Sequence, residues 1–182
     1  MERRLVDRAI RGDEEAFGTL IERYGPTFHA VARRILDDPL LAEDATQQAM
    51  LAAWRFLPQL REPDQFEAWA YRLVVNACRN EARRERRHRN VLRLLPSHHP
   101  STGDAGSRMV IREQLETAFR ALSIEHRTVV VLVHYAGMTP SEAARAMGTP
   151  TGTARSRLHY ALEHMRAAIE ADARIPAKRG TA

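Results

Sequence analysis

The chain has 182 residues, 44% of them apolar, and a net charge of +5, which suits one ordinary domain or two small ones with real cores. One cysteine, Cys78, excludes an internal disulfide and a cysteine-rich zinc site, and no uninterrupted apolar run is long enough for a secretory signal or a membrane span. The basicity is almost all arginine, Lys178 being the only lysine, and the planar guanidinium suits phosphate oxygens and guanine edges, so nucleic acid enters as a partner.

Residues 2–89 predict nearly continuous helix, interrupted at 11–13, 37–39 and 57–64, with Asp13 and Asp64 placed as N-caps of the helices after those breaks. Along 41–57, Met50, Leu51, Trp54 and Leu57 are expected to form the buried stripe. That turns Asp44, Gln48, Ala52 and Arg55 outward, a row poor for DNA and reasonable for a protein partner. In the next helix, Phe66, Trp69, Ala70, Leu73 and Ala77 recur at core spacing, while Arg72, Asn76, Arg79, Asn80, Arg83 and Arg87 line the opposite side. Arginines there would hold phosphates and asparagines would reach base edges. Between positions 79 and 93 seven arginines face two glutamates, Glu81 and Glu85.

Residues 89–108 lose periodicity and gather Pro, Ser, Gly and His, which marks a domain boundary and a mobile linker. Helical pattern resumes near Met109, restarts at Ser123 and stops at Gly137; the β-branched run 128–136 lies between helical signals and reads as helix. Thr139-Pro140-Ser141-Glu142 carries a cap, a proline at the first helical position and a glutamate three places after the cap. Gly148 then makes a tight turn, and Thr149-Pro150 repeats the cap and proline. Ala154, Leu158, Ala161, Leu162 and Met165 form the apolar stripe of the last helix, leaving Ser156 and Tyr160 pointing away, flanked by Arg155, Arg157 and His159. This spacing predicts a helix-turn-helix whose second helix meets base edges in the major groove. The fold class expected is all-α: two small helical domains, the second carrying the helix-turn-helix. A stand-alone helix-turn-helix regulator would account for 137–166, but not for the 41–57 surface or the basic helix after it.

With those residues in view, the chain resembles the extracytoplasmic-function sigma factors of the sigma-70 superfamily from about residue 5 to 168. Region 2 of that family resembles "RGDEEAFGTLIERYGPTFHAVARRIL", "AEDATQQAMLAAW" and "FEAWAYRLVVNACRNEARRERR"; region 4 resembles "ALSIEHRTVVVLVHYAGMTPSEAARAMGTPTGTARSRL". The resemblance implies region 2 over 1–88, a linker over 89–108, region 4 over 109–170 and a disordered tail over 171–182. It implies that Asp44, Gln47, Gln48 and Arg55 dock on the β′ clamp helices of core RNA polymerase, with the β flap as a further contact. It also implies capture of an unstacked −10 base by the 60–66 loop and following helix, through Arg61, Asp64, Arg72, Asn76, Arg79, Asn80 and Arg83. The −35 duplex would be read by Thr151, Thr153, Arg155, Ser156, Arg157, His159 and Tyr160. The partners implied are core polymerase, promoter DNA and an anti-sigma factor, in the bacterial cytoplasm. No catalytic residue, metal, cofactor or small-molecule substrate is expected, since no nucleophile elbow, phosphate-binding glycine loop or HExxH pattern occurs. Five positions depart from the family: Gln48 stands where an acid is usual, Met50 for phenylalanine, Ser123-Ile124 for Leu-Pro, and Tyr160 for a basic residue.

Overall fold

A computed structural model describes residues 2–92 and 107–173. Its helices are α1 (Glu2–Ile10), α2 (Glu14–Leu36), α3 (Pro39–Phe56), α4 (Phe66–Leu92), α5 (Ser107–Ala121), α6 (Ile124–Val130), α7 (Pro140–Met147) and α8 (Thr151–Ala173). Single 3₁₀ turns occupy Leu57–Gln59 and Pro63–Gln65, a π turn (Val131–Tyr135) continues α6, and the described residues form no strand. The 128–136 run is therefore helical, as its setting predicts. Most of the linker expected at 89–108 and of the tail expected at 171–182 lies outside the described residues.

Local chemistry starts most of these helices. The Asp13 carboxylate accepts the Ala16 amide at 2.9 Å and Nε of Arg8 at 2.7 Å. These bonds, the backbone one foremost, hold its pKa below the ordinary carboxylate value. Asp38 caps α3 through the amides of Leu40 and Leu41, and Ser123 caps α6. Thr139 and Glu142 form a reciprocal capping box on α7, which lowers the Glu142 pKa. Gly137 and Gly148 end their helices at φ of 72° and 63°, in the left-handed region where a Cβ is penalised. Two expected caps are not made. Asp64 lies inside a 3₁₀ turn and pairs instead with Arg3 at 2.6 Å, tying the loop to α1, while the Thr149 hydroxyl is buried without a hydrogen-bond partner.

Packing then orders the helices. α1 and α3 pack against α2, and α3 and α4 against each other. Leu20, Val31, Ile35, Val74, Val75 and Cys78 are fully enclosed, each large side chain contributing about 1.5–3 kcal/mol. Tyr24, Phe28, Phe66 and Tyr71 link edge to face or stacked, at centroid distances of 5.1–5.5 Å.

The stripe expected on α3 is corrected. Its buried face is small, made of Ala42, Ala45, Thr46, Ala49 and Ala53, whereas Leu51 is 69% and Trp54 40% exposed. Small side chains let α3 lie close to both α2 and α4, and that leaves no room for the large ones. Met50 is only partly buried, its methyl end against Gly25, and of the expected stripe Leu57 alone is fully enclosed. Likewise Leu162 on α8 is 39% exposed, while Ala154 and Ala161 take the core.

In the second half, α5, α6 and α7 pack on α8. The halves also meet: α7 lies on α4, one apolar core runs through both, Arg120 pairs with Asp37 at 3.0 Å, and Arg34 stacks 3.6 Å from the Tyr135 ring centre.

Two outcomes are expected. Burial pushes the Cys78 thiol up to about 12, so a disulfide reagent at pH 8 should leave the native chain unmodified and react only as denaturant unfolds it. The lowered pKa values of Asp13 and Glu142 mean that their stabilising contribution is present above the ordinary carboxylate range and lost as pH falls through the folded values. An Asp13→Asn/Glu142→Gln variant should therefore show a shallower fall of Tm between about pH 5 and pH 2 than the parent, read by circular dichroism.

Candidate nucleic-acid and partner interfaces

Three faces of different chemistry lie on three helices. The first is on α3, where Asp44, Gln47 and Arg55 are exposed beside the apolar Leu40, which is 74% exposed, Leu51 and Trp54. Gln47 is held toward Glu43 by an i,i+4 bond of 3.2 Å. An exposed apolar row edged by polar groups is a protein-docking surface rather than a phosphate-binding one. Leu40, Leu51 and Trp54 belong to it although periodicity alone assigned Leu51 and Trp54 to the core.

Gln48 is exposed like its neighbours and differs from them in its partner. Its amide turns toward α4 and donates to Oε1 of Glu81 at 2.5 Å, and Glu81 is 3% exposed. A carboxylate removed from water needs a donor. Arg84 approaches it only to 3.9 Å, so Gln48 is the close partner. This gives the departure at position 48 a physical reason, because an acid there would face a second carboxylate.

The second face is on α4. Arg72, Asn76, Asn80, Arg83 and Arg87 are exposed along one side, and Arg61 and Asp64 are exposed in the loop before it. Arg79 belongs to the same row but is turned inward. Its Nε and Nη2 donate to the two Glu125 oxygens at 3.0 and 2.8 Å, and its Nη1 to the Met147 carbonyl oxygen at 2.6 Å. The third face is the N-terminal half of α8, where Arg155, Ser156, His159 and Tyr160 are exposed and Thr151 and Thr153 are half-buried. Ser156 Oγ donates to the Thr153 carbonyl at 3.0 Å, and the His159 and Tyr160 rings lie 5.8 Å apart. Arg157 is half-buried and donates to Glu125 at 2.9 Å.

Between α4 and the α5–α6 corner a cleft of about 750 Å³ is lined by Leu36, Leu41 and Ile124 and by Arg79, Arg83, Arg86 and Arg127. Burial lowers the Arg127 pKa, and its Nε has no partner. No helix among the described residues is long and apolar enough to cross a membrane.

Two family models match the chain, sigma-70 region 2 over residues 20–88 and sigma-70 region 4 over residues 118–167. The ECF RNA polymerase sigma factor SigM of Mycobacterium tuberculosis is 32% identical over 153 residues, covering 84% of this chain and 76% of that one. The solved structure of CnrH in complex with the cytosolic domain of CnrY is 25% identical, with a TM-score of 0.69 over 94% of this chain and 98% of that one. The sigma factor RpoE of Bartonella quintana, solved with the anti-sigma factor NepR, shares the fold at 20% identity, with a TM-score of 0.67 over 86% of this chain and 98% of that one.

One substitution tests the α3–α4 contact. Gln48→Glu should cost on the order of 1–3 kcal/mol by setting a second carboxylate beside Glu81 and removing its donor. Thermal melts of the parent and the variant at pH 8 check it.

Proposed function

The chain belongs to the ECF RNA polymerase sigma factors of the sigma-70 family, and on that premise we propose how its three faces divide the work of starting transcription. It is a transcription initiation factor that binds core RNA polymerase and directs it to promoters. The observation that carries the division is the order of the faces: an apolar-and-polar row on α3, an arginine-asparagine row on α4, and a polar, basic half-helix on α8. A stand-alone regulator has use for the last alone.

In this reading Asp44, Gln47 and Arg55, with the exposed Leu40, Leu51 and Trp54, meet the β′ clamp helices, and Gln48 acts from behind by holding Glu81. Region 4 sits near the β flap and sets the N-terminal half of α8 into the −35 major groove. Arg155 and His159 present donors to base edges, Thr151, Thr153, Ser156 and Tyr160 flank them, and Arg157 takes the backbone. Asn76, with Asn80, receives a base extruded from the −10 strand, while Arg61, Arg72, Arg79 and Arg83 hold its phosphates and Asp64 fixes the loop. Extrusion costs a few kcal/mol in lost stacking, which only a fitted pocket returns. The polymerase supplies the phosphoryl-transfer chemistry, and this chain supplies recognition and strand capture. Domain limits of 1–88 and 109–170 follow, as does a cytoplasmic location in a bacterium. An anti-sigma factor completes the set of partners; a shared fold with RpoE solved beside NepR supports it.

Transcription with core polymerase and a promoter library, with transcript starts sequenced, tests this. Starts sharing paired upstream elements are expected only when the chain is present. Arg155→Ala should lower −35-dependent initiation about tenfold and leave polymerase binding intact, the loss of one base contact being worth about 1–3 kcal/mol. Asn76→Ala should reduce permanganate reactivity of the −10 thymines without changing duplex recruitment. Equal loss of polymerase binding in both variants would sink the division of labour.

A further inference from the structure

We propose that Glu125 is a clasp that closes the free chain on itself by occupying, at once, an arginine from each DNA-reading helix. The inference rests on the roles just given to Arg79 and Arg157. Glu125 lies in the first turn of α6, and its two oxygens receive Nε and Nη2 of Arg79 from α4 and Nη1 of Arg157 from α8. Arg79 is 14% exposed at its side chain, whereas its row-mates Arg72, Asn76, Asn80 and Arg83 face solvent. The third donor of the same guanidinium reaches the Met147 carbonyl, which is among those left unpaired at the C-terminus of α7, an end that favours a cation. One side chain of region 2 thereby completes two features of region 4.

The geometry is that of a carboxylate standing where a phosphate would. Two-pronged arginine recognition fits both anions, so a DNA backbone can engage Arg79 only by displacing Glu125. Releasing Arg79 leaves Glu125 with Arg157 as its ion-pair partner, a contact within region 4. Arg120 on Asp37 and Arg34 over Tyr135 brace the same closure at its margins, where both are accessible to solvent, and the apolar contact of α7 with α4 shares it. The face on α3 takes no part in it: Leu40, Leu51 and Trp54 remain exposed in the closed chain. The closed form can therefore meet polymerase while Arg79 and Arg157 are engaged, and opening follows docking.

The test uses the full chain with spin labels at Thr27→Cys and Ala167→Cys, both exposed positions and one in each half; Cys78 stays in place because it is enclosed. Pulsed dipolar spectroscopy should give one short, narrow interlabel distance in the parent. Glu125→Gln and Arg79→Gln should each broaden and lengthen it, with the double variant opening no further than either single change. An unchanged distance in both single variants, or additive opening in the double, overturns the clasp. Both changes remove ion pairing at a single carboxylate, so circular dichroism melts should show a folded chain; if either fails to fold, Arg79→Lys, which keeps the charge and loses the two-pronged contact, must broaden the distance or the clasp is wrong. Binding of a duplex carrying the mapped −35 element separates the two readings. Glu125→Gln, which releases Arg157, should tighten it about fivefold relative to a duplex lacking that element. Opening without tightening leaves the clasp standing and removes Arg157 from the promoter contacts.

Discussion

Close approach of α3 to its neighbours is the constraint on which the other features depend. Ala42, Ala45, Thr46, Ala49 and Ala53 form a face with little side-chain volume, so α2 and α4 can both lie near the α3 backbone. The same crowding expels Leu51 and Trp54 to the surface and creates the apolar docking row. It also brings Gln48 within reach of Glu81, giving a buried carboxylate of α4 its close donor. Burying small residues thus produces the docking face by exclusion and ties α4 to the helix that carries it.

Region 4 is organised by a different rule. Its α6 and α7 are short, and a helix the length of α7 has no stability by itself, so there termini matter more than area. The capping box at Thr139 and Glu142 and the left-handed turn at Gly148 satisfy most of what the backbone leaves open there. The carbonyl of Met147 is taken by an arginine from the other half of the chain. A terminus that needs a foreign donor ties the order of region 4 to its position on region 2.

Much of this was legible in the sequence, and the parts that were not share a cause. Caps at Asp13, Ser123 and Thr139, the breaks at 11–13 and 37–39 and the turn glycines are decided within four residues, and they read correctly. The α3 stripe misread because periodicity weights large apolar residues, while the packing that decided burial used the alanines between them. Asp64 and Thr149 have cap chemistry in a cap position, but Arg3 claimed the first and burial the second. Nothing near Arg79 announces that its partner is 46 residues away, since the pairing exists only after α7 has settled on α4. Gln48 gave a signal as a departure from its family; its reason required sight of Glu81.

The inward turn of Arg79 and Arg157 also bears on how such a chain survives among bulk DNA. A protein of net charge +5 whose basic groups are nearly all arginine is drawn to any duplex, and the strength of that attraction rises with each phosphate it neutralises. Two guanidinium groups spent on a carboxylate are two fewer for unspecific sites, which in a genome outnumber promoters by orders of magnitude. Under the proposed clasp, internal ion pairing of this kind lowers the pull of bulk DNA on the free factor by the share those two groups would supply.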